Sequence, residues 1–257
     1  MPVLRTSTHA EAADVPRRIF SPIARGYDHP ALVLSLFQYR RWHRFLISRL
    51  DPVLREAPAT AGRQQERVSV LDMATGTGAL AFDLLDRNGA QVIGADITRP
   101  MLLEALRRVD GRGGRAKALQ LLQCSAEAPP FADGSFDAVT FAYLLRYISD
   151  VPETLHLLAQ LLRPGGVMAS LDFAVPRGVW HPLWRLYTGV VLPAGGRVFS
   201  QHWRDVGAFL GPSIREFYQL WPERLLLEAW REAGFGDVQS RRLSLGGAIV
   251  IWGRKGK

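Results

Sequence analysis

Cysteine is almost absent from this chain: Cys124 is the only one in 257 residues. One thiol excludes an internal disulfide and any metal site built on cysteines, and it suits a reducing compartment. Long apolar runs are missing as well. No stretch reaches the roughly 18 residues that a bilayer span requires. The N-terminal segment Met1 to Val15 has no signal-peptide core and carries Glu11 and Asp14, so a cytoplasmic protein is expected. No internal repeat is found, and no set of side chains has metal-ligand spacing. Acidic residues fall short of basic ones, 24 against 32, for a net charge of +8. Nucleic acid, an anionic membrane surface or no partner at all could account for the excess. Arg dominates over Lys while Ala, Gly and Pro are frequent, which reads partly as compositional drift. Clusters such as Arg107-Arg108, Arg112, Arg115 and Lys117 read as solvated faces.

What is present is concentrated in one segment. Val68-Ser69-Val70-Leu71-Asp72 is a β-branched apolar run ending in an acid, and Gly76-Thr77-Gly78 follows it. Helical spacing then runs from Ala79 to Asn88, with Gly89 placed to end it. Strand, glycine turn and helix in that order aim a helix start at whatever the loop holds, and glycine lets backbone approach a ligand where a Cβ would clash. A second run, Gln91 to Asp96, also ends in an acid, suited to the two hydroxyls of a ribose. Two cofactor classes fit this outline. A dinucleotide would place its pyrophosphate at the turn, where Asp72 repels it. S-adenosylmethionine brings an ammonium and a sulfonium, which a nearby acid favours. Asp72 therefore argues for S-adenosylmethionine over NAD.

Along the chain, residues 16–50 read as two helices around a turn at Gly26 to Pro30, and 55–67 as a polar linker. Strands at 68–73, 90–96, 118–123, 136–142 and 166–173 alternate with helices at 79–88, 98–110 and 151–162. Asp150, followed by Pro152 and Glu153, is a helix start, and Leu162 to Gly166 a stop and turn. Residues 177–221 break the alternation. A helix at 222–233 ends at Gly234, and strands at about 237–244 and 247–254 meet at Gly246-Gly247 as a hairpin. The fold class expected is α/β, a mostly parallel sheet with one antiparallel strand. Ligands in such sheets sit beyond the carboxyl ends of the strands. There the chain offers Asp72 and the glycine loop, Asp96, Cys124 to Glu127, Ala142 to Tyr147, and Asp172-Phe173.

These motifs resemble the ubiquinone/menaquinone C-methyltransferase family, within the class I S-adenosylmethionine-dependent methyltransferases. The resemblance rests on Phe20 to Asp28, Arg40 and Trp42; on Leu71 to Gly78, Ala95-Asp96-Ile97, Ser135-Phe136-Asp137, Leu145-Arg146 and Leu162 to Gly166; and on Ser213-Ile214-Arg215, Ala233-Gly234-Phe235 and Leu243 to Gly247. It implies a Rossmann-like, seven-stranded domain over 68–257 with helices on both faces and a C-terminal hairpin. Residues 1–67 become an N-terminal helical extension and linker, and about 177–221 an aromatic lid. It further implies that Asp72, Gly76, Thr77 and Gly78 hold the methionine half of the cofactor and that Asp96 takes the ribose hydroxyls. Ile97 would pack on the adenine, Ser125 and Ala126 touch its edge, Ala142 lie beside the sulfonium, and Tyr27 close over the whole. The acceptor implied is a prenylated quinol, and a homodimer is implied with it. The chain departs from the family pattern at Ser125, at His29-Pro30, at Tyr147 and at Asp172, most of these on the acceptor side.

The chemistry supports two further expectations. Methyl transfer is an in-line displacement in which the enzyme aligns donor and acceptor. A ring carbon becomes nucleophilic once a neighbouring hydroxyl is deprotonated, so a charge that stabilises the phenolate is needed. Arg146 is the candidate, with a structural ion pair to Asp172 or Asp150 as the plainer reading; Asp172 could orient it or accept a proton. Tyr143, Tyr147, His29 and His202 are weaker candidates, His156 reads as structural, and His43 and His181 lack any partner spacing. The lid carries Trp180, Trp184, Trp203 and Trp221, equally consistent with core packing and with an apolar groove at a membrane interface. Peripheral contact with the inner face of the membrane is one expectation that follows. A nucleic-acid methyltransferase is disfavoured, since Phe141 to Leu144 stands where an amino-adenine enzyme carries Asn/Asp-Pro-Pro-aromatic, and Cys124 comes too early for a cytosine enzyme. Another small-molecule O- or C-methyltransferase and a non-catalytic binding protein on the same fold remain as alternatives.

Overall fold

The structure is a computed structural model that describes residues 9–55, 68–87 and 90–256. The expected linker, apart from Arg55, and the expected helix end at Asn88-Gly89 lie outside those residues.

Apolar strand segments assemble into one seven-stranded sheet of order β3-β2-β1-β4-β5-β7-β6. The strands are β1 (Ser69–Met73), β2 (Gln91–Asp96), β3 (Leu119–Gln123), β4 (Phe136–Ala142), β5 (Leu162–Phe173), β6 (Phe235–Leu243) and β7 (Ala248–Lys255). Only β7 runs against its neighbours, β5 and β6, as the closing hairpin requires. The chain order reverses between β1 and β4, which opens a crevice beyond their carboxyl ends. The helices in chain order are α1 (His9–Phe20), α2 (Asp28–Leu34), α3 (Tyr39–Ser48), α4 (Asp51–Arg55), α5 (Ala79–Leu85), α6 (Arg99–Arg112), α7 (Val151–Gln160), α8 (Trp180–Leu186), α9 (Leu192–Phe199), α10 (Gln201–Leu220) and α11 (Glu223–Glu232).

Because strand side chains alternate, the sheet has two apolar faces to cover. Leu155 and Leu158 of α7 and Leu226 and Trp230 of α11 cover one. Trp42 and Leu46 of α3 and Leu80 and Phe82 of α5 cover the other. A third core forms where Ile23, Phe20 and Tyr27 meet Trp203 and Val206 of α10. The two segments that flank the alternating unit in sequence thus pack on each other. Tyr187 donates its hydroxyl to the Leu34 carbonyl across the same contact.

Several boundaries differ from the expected ones for physical reasons. Residues 16–50 hold the end of α1, a 3₁₀ turn at Ser21–Ile23, and then α2 and α3, rather than two helices around one turn. Gly26, at φ +75°, ends the first segment. Pro30 lies inside the first turn of α2, where its missing N–H leaves no bond unmade. The turn at Leu162 to Gly166 is drawn into β5, which pairs from Leu162 with a register shift between Phe136 and Ala138. The hairpin turns at Ser244–Gly246, a 3₁₀ segment. The helix start at Asp150 stands: its carboxylate accepts from the Glu153 N–H at 2.9 Å.

Candidate active site

β1 delivers Asp72 into the crevice. Its strand partners are Gly94 on β2 and Thr140 on β4. Register brings the Thr140 hydroxyl to Asp72 Oδ1 at 2.8 Å, while the Thr75 hydroxyl donates to Oδ2 at 2.7 Å. Thr75 can fold back here because Gly94 has no side chain: a Cβ there would stand 3.0 Å from the Thr75 hydroxyl. Asp72 is 1% exposed. Burial pushes its carboxyl up to about 7, against the two threonine hydrogen bonds.

β2 delivers Asp96 in the same way. Its Oδ2 accepts from the Gly76 N–H at 2.8 Å and its Oδ1 from the Thr98 N–H at 2.7 Å. Asp96 therefore fixes the glycine loop as well as facing the crevice, and its carboxyl is raised by burial despite those bonds. Gly76 and Gly78 hold φ of +57° and +80°, a region costly for any other residue. A carboxylate offers about four acceptor positions, so both aspartates keep capacity for a ligand.

These residues line one cavity. Tyr27, Asp72, Gly76, Thr77, Asp96, Ile97, Ser125, Ala126 and Ala142, drawn from four strand ends and the N-terminal segment, all face it. Gly78 does not line it; it closes the loop from behind, donating to the Thr75 carbonyl at 2.9 Å. One wall is aromatic: Phe20, Tyr27, Tyr39, Tyr143 and Tyr147 line this cavity and also a second one beside it. The second, of about 380 Å³, is walled by apolar side chains of α2, α8, α9 and α10, among them Leu34, Leu183, Trp184, Leu192 and Leu210. Tyr143, at the join, holds φ +59°, and its ring stacks on Phe173 at 4.5 Å.

Arg146 enters the second cavity. Its side chain is 1% exposed, and its Nε donates to Asp172 Oδ1 at 3.0 Å. Burial opposes its charge, but Tyr147 and Asp172 outweigh burial and raise its pKa further. The guanidinium also lies 5.0 Å from the Tyr147 ring centroid and 5.6 Å from that of Phe173. Asp172 lines neither cavity; it holds Arg146 from behind, and its Oδ1 also accepts from the Phe173 N–H at 2.7 Å. The plainer reading of Arg146, an ion pair with Asp172, is what the geometry contains, with the guanidinium facing a cavity at the same time.

Several residues here escaped the sequence. Arg108, grouped with solvated arginines, donates to Asp28 at 2.8 Å and to the Thr77 carbonyl at 2.7 Å. Asp28 also accepts from the Thr77 hydroxyl at 3.0 Å, so α2, the glycine loop and α6 are tied at one point. His43, which lacks partner spacing in sequence, is buried, lines the first cavity and packs against Tyr39, ring centroids 4.1 Å apart. His29 and His202 are exposed and line neither cavity. His156 is exposed, against Gln160. Only Tyr-Asp at 27–28 carried a signal for the Arg108 clamp, and no spacing linked it to residue 108.

The site can therefore hold a molecule with a cationic end against Asp72 and hydroxyls against Asp96, next to an apolar one. A model of the ubiE/COQ5 methyltransferase family matches residues 7–255. The ubiquinone/menaquinone biosynthesis C-methyltransferase UbiE of Desulfotalea psychrophila is 35% identical over 242 residues, 93% of this chain and 89% of that protein. The demethylmenaquinone methyltransferase of Thermus thermophilus is 35% identical over 234 residues, 90% and 97% of the two chains. Among solved structures, phosphoethanolamine N-methyltransferase 2 of Haemonchus contortus, in complex with phosphomonomethylethanolamine and S-adenosylhomocysteine, shares the fold. Its TM-score is 0.59 at 17% identity, over 84% of this chain and 53% of that one.

Proposed function

This chain belongs to the ubiE/COQ5 methyltransferase family, and from that premise we propose that it methylates a ring carbon of a prenylated quinol with S-adenosylmethionine. The pair of adjoining cavities carries the proposal. One is lined by two buried aspartates, the other is almost wholly apolar, and they share an aromatic wall. The cofactor, when bound, supplies an electrophilic methyl on its sulfonium. Asp72 would face its ammonium, Gly76 and Thr77 would enclose its methionine half with Gly78 shaping the loop behind them, and Asp96 would take the ribose hydroxyls. Ile97, Ser125 and Ala126 would bound the adenine, Ala142 would lie by the sulfonium, and Tyr27 would close the cavity over it.

The quinol ring would lie at the aromatic join and its prenyl tail in the apolar cavity. When the ring hydroxyl loses its proton, Arg146 stabilises the phenolate. A guanidinium stays protonated, so it acts by charge and not as a base. The ring carbon would then take the methyl as the carbon–sulfur bond breaks, leaving the sulfur a neutral thioether. The ring carbon's proton would pass to water, restoring the aromatic ring, and the oxygen would regain a proton from water, so that one proton is released overall. Asp172 positions Arg146. We read residues 68–257 as the catalytic domain, with α1, α2 and residues 177–221 forming its cap.

Among the described residues no helix is long and apolar enough to cross a membrane. The apolar cavity opens through exposed Leu36, Trp180, Leu183, Leu186, Val191 and Leu245. That rim supports peripheral contact with the bilayer that stores such a substrate.

Labelled S-adenosylmethionine, incubated with the protein and a reduced demethylmenaquinone or demethoxyquinol analogue, tests this. Label in the organic phase, on ring carbon by NMR, is expected. Label on oxygen, or cofactor binding with no transfer to either quinol, would move the acceptor to another class of small molecule.

A further inference from the structure

The first cavity has an unusual charge inventory. Asp72, Asp96 and Glu127 line it, and among the described residues no Lys or Arg does. The methionine half of the cofactor ends in an ammonium and a carboxylate on one carbon. Asp72 answers the first. The second needs a donor, and most of the loop donors are engaged, the Thr77 N–H excepted. The Gly76 N–H is held by Asp96, the Gly78 N–H by the Thr75 carbonyl, and the Thr77 hydroxyl by Asp28.

His43 is the remaining basic group in that wall. It comes from the middle of α3 and is 2% exposed. Neither ring nitrogen has a hydrogen-bond partner, although an unpaired buried donor is costly. Its Nδ1 is 3.6 Å from Asp83 Oδ2 on α5, beyond hydrogen-bond length, while the Tyr39 ring packs on it at a tilt of 47°, centroids 4.1 Å apart. It shares the cavity wall with Thr77 and Leu80, the glycine-loop end. His43 and Asp72 thus line the same cavity, and α3, which carries His43, packs on α5 directly behind the glycine loop.

We propose that His43 binds the carboxylate of the cofactor's methionine half, opposite the ammonium site at Asp72, with Asp83 and Tyr39 holding the imidazole in place. This rests on S-adenosylmethionine being the cofactor. His43 is then a specificity residue: it separates a ligand with the carboxylate from one without it.

Calorimetric binding of S-adenosylmethionine and of decarboxylated S-adenosylmethionine tests the assignment. Wild-type protein should bind the first at least about tenfold more tightly, the range of a charge-assisted hydrogen bond. His43→Leu, close in bulk, should lose that preference by weakening only the carboxylate-bearing ligand. His43→Gln, which keeps one donor, should recover part of it. Equal weakening of both ligands would make His43 a packing residue and overturn the inference, as would a wild-type protein indifferent to the carboxylate. If His43→Leu fails to fold, the wild-type preference and its partial reduction in His43→Gln decide. A wild-type protein that binds neither ligand would instead overturn the cofactor reading on which the inference stands.

Discussion

At the scale of single residues, two buried charges carry the proposed chemistry, and each makes a distinct prediction. Burial first, then the nearby charges of Asp96 and Asp83, hold the Asp72 carboxyl at about 7, against hydrogen bonds from Thr75 and Thr140. In the unfolded chain it would titrate at about 3.9. The folded chain therefore binds that proton more tightly. The stability this confers is full below the unfolded value and is lost as pH rises through about 7. A ligand ammonium reverses the preference by favouring the carboxylate. Cofactor affinity should then rise between about pH 5.5 and 7.5, with a proton released on binding. Asp72→Asn should lower affinity about tenfold or more and flatten the profile. Calorimetry in two buffers of different ionisation heat counts the proton, and a wild-type count of zero across the window would refute the assignment. Arg146 makes the second prediction. Arg146→Ala should lower turnover about 10²- to 10³-fold while cofactor affinity stays within about threefold. Asp172→Asn should cost less, since the guanidinium remains but is held less firmly. Breaking a buried pair also costs stability, about 3–5 kcal/mol, so each variant's melting curve must accompany its rate. An Arg146→Ala enzyme with near-normal turnover would remove Arg146 from the mechanism.

At the scale of elements, the cap depends on glycines that bring helices together. A Cβ on Gly207 of α10 would stand 2.6 Å from the Leu192 carbonyl oxygen of α9, and one on Gly196 2.3 Å from that of Trp203. These neighbours are backbone, so no rotamer change relieves them. Gly207→Ala should push α9 from α10, lowering stability by about 1–3 kcal/mol and raising the KM for the quinol. Cofactor affinity should be unchanged, because neither helix lines the first cavity. Denaturant curves with paired KM and Kd measurements check this, and a fall in cofactor affinity matching the rise in KM would sink it. Such contacts explain why 177–221 was hard to read. Period and composition mark apolar helices but not which backbones touch. The same limit hid the Arg108–Asp28–Thr77 tie and the placing of His43, both of which depend on α2 and α3 folding back over a loop far along the chain, 49 residues from Asp28 to Thr77. Asp72, Asp96 and the glycine loop were legible because strand, acid and turn are contiguous in sequence, and strand ends converge by topology.

At the scale of the whole molecule, the βαβ alternation and the reversed last strand were readable from periodicity and turn residues. The relation between the N-terminal helices and residues 177–221 was not. The N-terminal helices and the 177–221 segment meet through Ile23, Tyr27 and Trp203, a contact between chain segments that no local pattern encodes. Their union makes the apolar cavity and leaves its rim exposed: Leu183 and Leu186 are each more than half exposed on α8, and Val179, just before that helix, is 83% exposed. Arg185 is exposed on the same helix, in an outer cleft with Arg215 and His181. Apolar and basic residues side by side on one short helix, in a chain of net charge +8, suit an anionic bilayer surface. The protein should sediment with phosphatidylglycerol vesicles and only weakly with phosphatidylcholine ones, and added salt should reduce the difference as screening grows. Leu183→Asp should weaken sedimentation and slow turnover on a vesicle-borne quinol, while turnover on a short-chain, water-soluble quinol stays near wild type. If wild-type protein remains in the supernatant at every vesicle composition, the rim is a mouth for the prenyl tail alone and the substrate must reach it by another route.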